Sequence, residues 1–199
     1  MEVIIATHNL HKLREIRKML KELKHIDFTS FHDYPSYIPL EEVGQSFEEN
    51  ALLKAMQVTE TLGAWAISDD SGLVVPALKG APGVYSARYA GKAASDLENR
   101  KKLLEDMQGF DGMSRSAYFE CSLAITGPEG LKKTFKGICQ GYISTEERGK
   151  NGFGYDPIFI KNDYSQTFAE LSESIKNRIS HRRKAMDKAL LFFEQMTQH

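Results

Sequence analysis

The chain has 199 residues, 41% hydrophobic and 27% charged, with 26 basic side chains against 27 acidic and a formal charge of -1. Such a composition belongs to a folded, soluble protein with one sizeable core or two small lobes, and its near-neutral balance argues against a general nucleic-acid or membrane surface, so any anion site must be local. Two cysteines, Cys121 and Cys139, lie outside any CxxC or Cys/His setting, which argues against a disulfide framework and against zinc. With no leader-like segment and no apolar run of membrane-spanning length, the expected compartment is the reducing cytoplasm.

Glu2-Val3-Ile4-Ile5-Ala6 reads as a buried strand, and Leu13, Ile16, Leu20 and Leu23 recur at helical spacing over Lys12 to Leu23. Between them, Thr7-His8-Asn9-Leu10-His11-Lys12 sits where a strand hands over to a helix N-terminus. Free backbone N–H groups and the helix dipole favour a phosphate at such a place, and an ordinary N-capping loop is the competing reading. It is not a Walker loop, because the glycine spacing and the Gly-Lys-Ser/Thr ending are absent.

Ile26 to Phe31 predicts a second strand, followed by a long loop that carries Glu41 and Glu42. These are either metal ligands or solvated surface acids. Ser46-Phe47-Glu48-Glu49 is a capping box for a helix that ends at Gly63, on which Asn50 and Lys54 share a face. Trp65 to Leu73 then runs an apolar strand into Asp69-Asp70-Ser71-Gly72. The residue types there predict a strand, an acidic turn and another strand. Alternation of faces lets only one of the two aspartates reach a site directly, where a carboxylate can hold Mg2+ or orient an attacking water.

Pro82 to Gly91, with two tyrosines and an arginine among small residues, suits a lid or an interface. Ser95 to Met107 is a second capped helix, and strands over Ala117 to Ile125 and Leu131 to Ile143 form a long hairpin through Gly127-Pro128-Glu129-Gly130. In Gly152-Phe153-Gly154-Tyr155-Asp156-Pro157, two glycines flank an aromatic ring, which suits a backbone that closely approaches a flat ligand stacked on Phe153; a glycine-rich strand bend is the alternative. Ser180 predicts the cap of a last helix whose Ala185, Met186, Ala189, Leu190 and Phe193 face the core. His181 and Arg182 fall in its first turn, where the dipole opposes cations and a compensating anion is needed; a bound nucleotide would be one. The early β-α pattern and the later hairpin make the coarse fold class a mixed α/β sheet.

Taken in order, Thr7 to Lys12, Ser68 to Leu73, Pro82 to Tyr89, Gly152 to Pro157 and Ser180-His181-Arg182 resemble the Ham1/RdgB/inosine triphosphatase family. The resemblance implies an elongated mixed sheet with two α/β lobes flanking a central nucleotide cleft, an ITPase/Maf-like fold in which residues 1–199 form one domain. It implies an Mg2+-dependent homodimer that hydrolyses ITP, dITP and XTP to the monophosphate and pyrophosphate. Carried over by position, Asp70 is implied as general base and metal ligand, with Glu41 as the second metal carboxylate. Thr7, His8, Asn9, Leu10, His11 and Lys12 are implied as the phosphate contacts, and Ser71 as a substrate contact. Phe153 would stack on the base, and Gly154, Tyr155, Asp156, Lys176, His181 and Arg182 would line the nucleotide pocket. His8 departs from the pattern, which commonly has Gly there.

That chemistry needs water to attack the α-phosphorus while the charge on departing pyrophosphate is neutralised, a task of positioning and electrostatics without a covalent nucleophile. Arg182, a donor-only group, would favour the 6-keto of inosine and xanthine over the 6-amino group of adenine. A catalytically silent nucleotide sensor would keep the same contacts without turnover. RNA binding through the five basic residues of Lys176 to Lys184 is disfavoured by the overall charge balance.

Overall fold

The computed structural model describes residues 1–39 and 43–196. Its strands form one six-stranded sheet in the order β2-β1-β3-β4-β5-β6, made of β1 (Glu2–Ile5), β2 (Asp27–Ser30), β3 (Trp65–Val74), β4 (Ser116–Thr126), β5 (Lys132–Ile143) and β6 (Phe159–Lys161). β1 pairs in parallel with β2 and with β3, as consecutive β-α units require, and β5 pairs antiparallel with β6. Among the described residues five α-helices accompany the sheet: α1 (Leu10–Met19), α2 (Phe47–Leu62), α3 (Asp96–Asp106), α4 (Glu173–Ile179) and α5 (His181–Met196). The mixed α/β class follows from this alternation.

The chain divides into two compact units, the first of Met1–Asp70, Cys121–Gly137 and Arg182–His199, the second of Ser71–Glu120 and Ile138–His181. In the first unit, strand alternation sorts the core into two layers. Val3, Ile5, Ile67, Cys121, Leu123 and Ile125 pack with Leu13, Ile16 and Met19 of α1 and with Ala185, Met186, Ala189, Leu190 and Phe193 of α5. Ile4, Ala6, Ala66 and Ala124 meet Ala51, Ala55 and Val58 of α2, together with Phe31. The small side chains of this second layer let α2 approach the sheet closely. Up to Asp70, odd-numbered β3 residues therefore face α1 and α5, and even-numbered ones face α2. In the second unit, Leu73, Val75, Leu103, Met107, Phe119, Ile143, Ile158, Phe159 and Phe168 form a separate core. Fully burying each such Ile, Leu or Phe contributes roughly 1.5–3 kcal/mol.

Side-chain caps hold the starts of α1, α2 and α3, with two changes from the expected pattern. Asn9 caps α1, so the helix begins at Leu10 instead of Lys12. Ser46 Oγ accepts from Glu49 N at 3.1 Å, but the Glu49 carboxylate takes Gln45 N, one residue before the cap. Ser95 and Glu98 form the full reciprocal box of α3, and Gly63 ends α2 at a φ of 66°.

The expected acidic turn at Asp69-Asp70 does not exist. β3 runs unbroken from Trp65 to Val74, with both aspartates buried in its middle. Turn-type residues remain in a strand here because neighbouring helices supply the counter-charges that buried carboxylates demand. Nor is the glycine-rich stretch a strand bend: it is a loop that runs into a single 3-10 turn over Asp156–Ile158 before β6.

Candidate functional site

Asp69 points to the α1/α5 side of β3 and is fully buried. Its Oδ2 accepts from Arg182 Nε at 3.2 Å and Nη2 at 2.9 Å, and Lys12 Nζ lies 3.2 Å away. Arg182, 1% exposed, also donates through Nη1 to the Glu15 carboxylate of α1. Burial by itself would push the Asp69 carboxyl up, but Lys12, Arg182 and Lys54 outweigh it and hold the group well below the usual carboxylate range. Burial likewise opposes the charge on Arg182, and Asp69 and Glu15 reverse that, keeping the guanidinium charged. The compensating anions for Arg182 are thus Asp69 and Glu15 of the protein itself, which corrects the expectation that a nucleotide supplies them.

Asp70 points to the α2 side and is 7% exposed. Asn50 Nδ2 donates to its Oδ2 at 3.0 Å, and Lys54 Nζ stands 3.6 Å from its Oδ1 while donating to the Asp69 carbonyl at 2.7 Å. The i,i+4 pair on α2 is therefore turned onto the aspartates. Asn50 also accepts from Gly44 N at 2.8 Å, and a Cβ on Gly44 would come 2.5 Å from that Asn50 oxygen. Gly44 is needed for this close approach.

The Thr7–Lys12 segment is tighter than an open anion loop. Asn9 Oδ1 accepts from His11 N at 3.0 Å and Lys12 N at 3.1 Å, and Thr7 Oγ1 accepts from Asn9 N at 3.2 Å. The amides of residues 11 and 12 are thus engaged by the cap, as in the N-capping reading of this loop. The His8 ring turns onto Phe31, centroids 4.6 Å apart.

The second unit carries a separate cluster. Asp156 Oδ2 accepts from Phe153 N at 2.9 Å and from Lys176 Nζ at 2.6 Å, and Lys176 Nζ lies 4.6 Å from the centre of the Phe153 ring. Lys176 is 4% exposed. Gly152, at a φ of 76°, has no room for a side chain, since a Cβ would fall 1.9 Å from Asp156 Oδ2. This glycine accommodates a carboxylate of the protein, where the sequence suggested a flat ligand. Gly154 N donates to Asp96 Oδ2 at 2.7 Å, and its carbonyl accepts from Arg100 Nη1 at 2.8 Å. Tyr155 is buried, with its hydroxyl donating to the Ser86 carbonyl at 2.8 Å. His181 is buried and stacked on Phe119, centroids 4.7 Å apart and planes 13° from parallel. Ser71 is half-buried on β3.

In the first unit Lys12 and Arg182 thus meet at Asp69, while Asp70 stands on the opposite face of β3 with Asn50 and Lys54; in the second, Phe153 and Asp156 come together with Lys176. Glu41, and Glu42 beside it, lie outside the described residues. Sequence reasoning passed over Glu15 and left Asn50 and Lys54 undecided; the signal for Glu15 is an acid beside Ile16 on the buried face of α1. Among the described residues no three His, Cys, Asp or Glu side chains group to hold a metal ion. Asp70 nonetheless offers a hard oxygen donor of the kind Mg2+ takes, since that ion commonly binds one or two protein carboxylates and completes its shell with water and substrate phosphate.

The model of the Ham1 family matches residues 3–192. A dITP/XTP pyrophosphatase of Protochlamydia amoebophila (strain UWE25) is 52% identical over 98% of this chain and 99% of its own length. One of Chlamydia trachomatis (serovar D) is 49% identical over 98% of this chain and 93% of its own. Among solved structures, a HAM1 protein from Coxiella burnetii superimposes with a TM-score of 0.90 at 40% identity, covering 98% of this chain and 99% of that one. The Ham1 protein of Staphylococcus aureus gives 0.88 at 39%, covering 98% and 100%. With its sequence matched almost end to end and its fold shared with these structures, the chain belongs to the Ham1 family.

Proposed function

We propose that this protein hydrolyses the non-canonical purine triphosphates ITP, dITP and XTP to the monophosphate and pyrophosphate, clearing them from the nucleotide pool. The observation that carries the reading is Asp70 on β3, a nearly buried carboxylate braced by Asn50 and Lys54, in a chain about half identical to proteins named dITP/XTP pyrophosphatases.

In this reading residues 1–199 act as one pyrophosphatase domain. Asp70 accepts the proton of the water that attacks the α-phosphorus, and Lys12 with the backbone of Thr7 to His11 takes the phosphates. Mg2+, held by Asp70 and Glu41, would supply neutralisation of the charge that gathers on the leaving pyrophosphate. Asp69 does not contact substrate: its buried charge fixes Lys12 and Arg182. Phe153 stacks on the purine, with Lys176 and Asp156 setting its backbone and ring, and Gly154, Tyr155, Ser71 and His181 complete the nucleotide contacts. Arg182 has the donors that suit a 6-keto purine. Because it rests on Asp69 and Glu15, selecting such a base through Arg182 requires it to give up part of that network.

We further place the protein in the cytoplasm as a homodimer without a nucleic-acid partner. The unbridged, buried cysteines and the balanced charge support the first and last of these, and no helix among the described residues is long and apolar enough to cross a membrane.

The test is to supply ITP, dITP, XTP, GTP and ATP with Mg2+ and to identify both products. IMP and pyrophosphate from ITP, with GTP and ATP much slower, are expected; IDP and orthophosphate would refute the bond assignment. Binding of ITP with no turnover at any metal concentration would leave a nucleotide sensor instead. Chelation of the metal should abolish turnover.

A further inference from the structure

Three aromatic rings of the first unit form a short ladder that the reaction does not use. The imidazole of His8 lies 4.6 Å from the Phe31 ring at an interplanar angle of 39°, and Phe31 in turn lies 4.8 Å from Tyr37 at 25°. Phe31 is in the core, packed with Ile4, Ala6 and Ala51, and Tyr37 packs against the same cluster. His8 itself is exposed. An exposed ring on an anchored aromatic pair ties its own backbone to the core. The backbone so tied is the middle of Thr7-His8-Asn9, between Thr7, which accepts from Asn9 N, and Asn9, which caps α1.

We propose that His8 is a positioning residue, which holds the Thr7–Lys12 segment in its phosphate-binding form through its tilted contact with Phe31, itself stacked on Tyr37. The proposal rests on the reading of that segment as the phosphate contact. The physical basis is preorganisation: without the ring, residues 7 to 9 sample other conformations, and binding must order them at the expense of affinity. The ring acts by its face and not as a hydrogen-bond donor, so an apolar aromatic should replace it.

The experiment compares His8→Gly, His8→Leu and His8→Phe, and uses Tyr37→Leu to shorten the ladder at its far end. His8→Gly and His8→Leu should raise KM for ITP by about 3- to 10-fold, the size of one aromatic contact, with kcat little changed. His8→Phe should restore the wild-type KM. In the double variant His8→Gly/Tyr37→Leu, the effect of the second change should be smaller than it is alone, because the ladder is already broken. Amide hydrogen exchange over residues 7–12, measured without nucleotide, should quicken in His8→Gly and return to the wild-type rate in His8→Phe. A His8→Phe variant as impaired in KM as His8→Gly, or exchange identical in wild type, His8→Gly and His8→Phe, would overturn the proposal. Absence of ITP cleavage in the wild type would count against the proposed function alone, since the exchange measurement reads the ladder without catalysis.

Discussion

The two units handle buried charge in different ways. In the first, Lys12, Lys54 and Arg182 balance Glu15, Asp69 and Asp70, and four of the six meet at Asp69 or through Arg182. In the second, one pair, Asp156 with Lys176, shapes a loop and underlies one ring. A shared network makes each member's position depend on the others, whereas a single ion pair between two side chains acts mainly on its immediate surroundings. The first arrangement suits a site that must hold several charges against polyphosphate, and the second suits the orientation of one flat contact surface.

The largest expected effect tests the network. Arg182→Met leaves Glu15 and Asp69 buried without their common cation and should cost about 3–5 kcal/mol of unfolding free energy, the range for breaking a buried pair on one side. Denaturant unfolding measures it; a loss under 1 kcal/mol would show that the network is not cooperative. The same logic sets an acid limit. Because the Asp69 carboxyl is held below its ordinary value, its contribution is complete above about pH 4 and declines as pH falls through the lowered native value.

Asp70→Asn should lower the turnover of ITP by about 100-fold or more, the usual loss for a general base, while its melting temperature stays close to wild type because an amide can still accept from Asn50. Full activity in this variant would remove Asp70 from the mechanism. Lys176→Met in the second unit should act mainly on KM, by releasing Asp156 and the Phe153 ring, with a smaller effect on kcat than Asp70→Asn. Equal losses in kcat would erase the distinction between the two clusters.

Gly152→Ala combines a positive φ with a clash against the Asp156 carboxylate and should destabilise by about 1–3 kcal/mol. The smallest effect lies at Cys121, whose thiol burial, with Asp69 nearby, pushes up to about 12. The unfolded chain then loses that proton first as pH rises, so stability should fall by on the order of 1 kcal/mol between about pH 8.5 and 9.5. Cys121→Ala should flatten that part of the profile, and an unchanged slope would assign it to another group.

Much of the fold was legible because its signals are local. Apolar spacing marked β1 and α1, capping residues marked α2 and α3, and the apolar stripe of α5 matched its buried face residue by residue. Local signals also misled, in both places where polar residues do a tertiary task. Asp69-Asp70-Ser71-Gly72 has turn chemistry and lies in a strand; Gly152 and Gly154 looked shaped for a ligand, and Gly152 makes room for Asp156. The pairing of Asn50 with Lys54 on one face was visible from spacing, but not what that face meets. Glu15 was passed over, since an acid on a helix is ordinarily solvated.

By itself, then, the sequence determined the alternation of strands and helices, the capped ends and the parity that sends Asp69 and Asp70 to opposite faces of β3. These depend on residues within a few positions of each other. Only the tertiary structure decided that both aspartates are buried and what each holds, because their partners come from positions 12, 50, 54 and 182. A buried carboxylate is tolerable only beside its cations, and that proximity is a property of the folded chain.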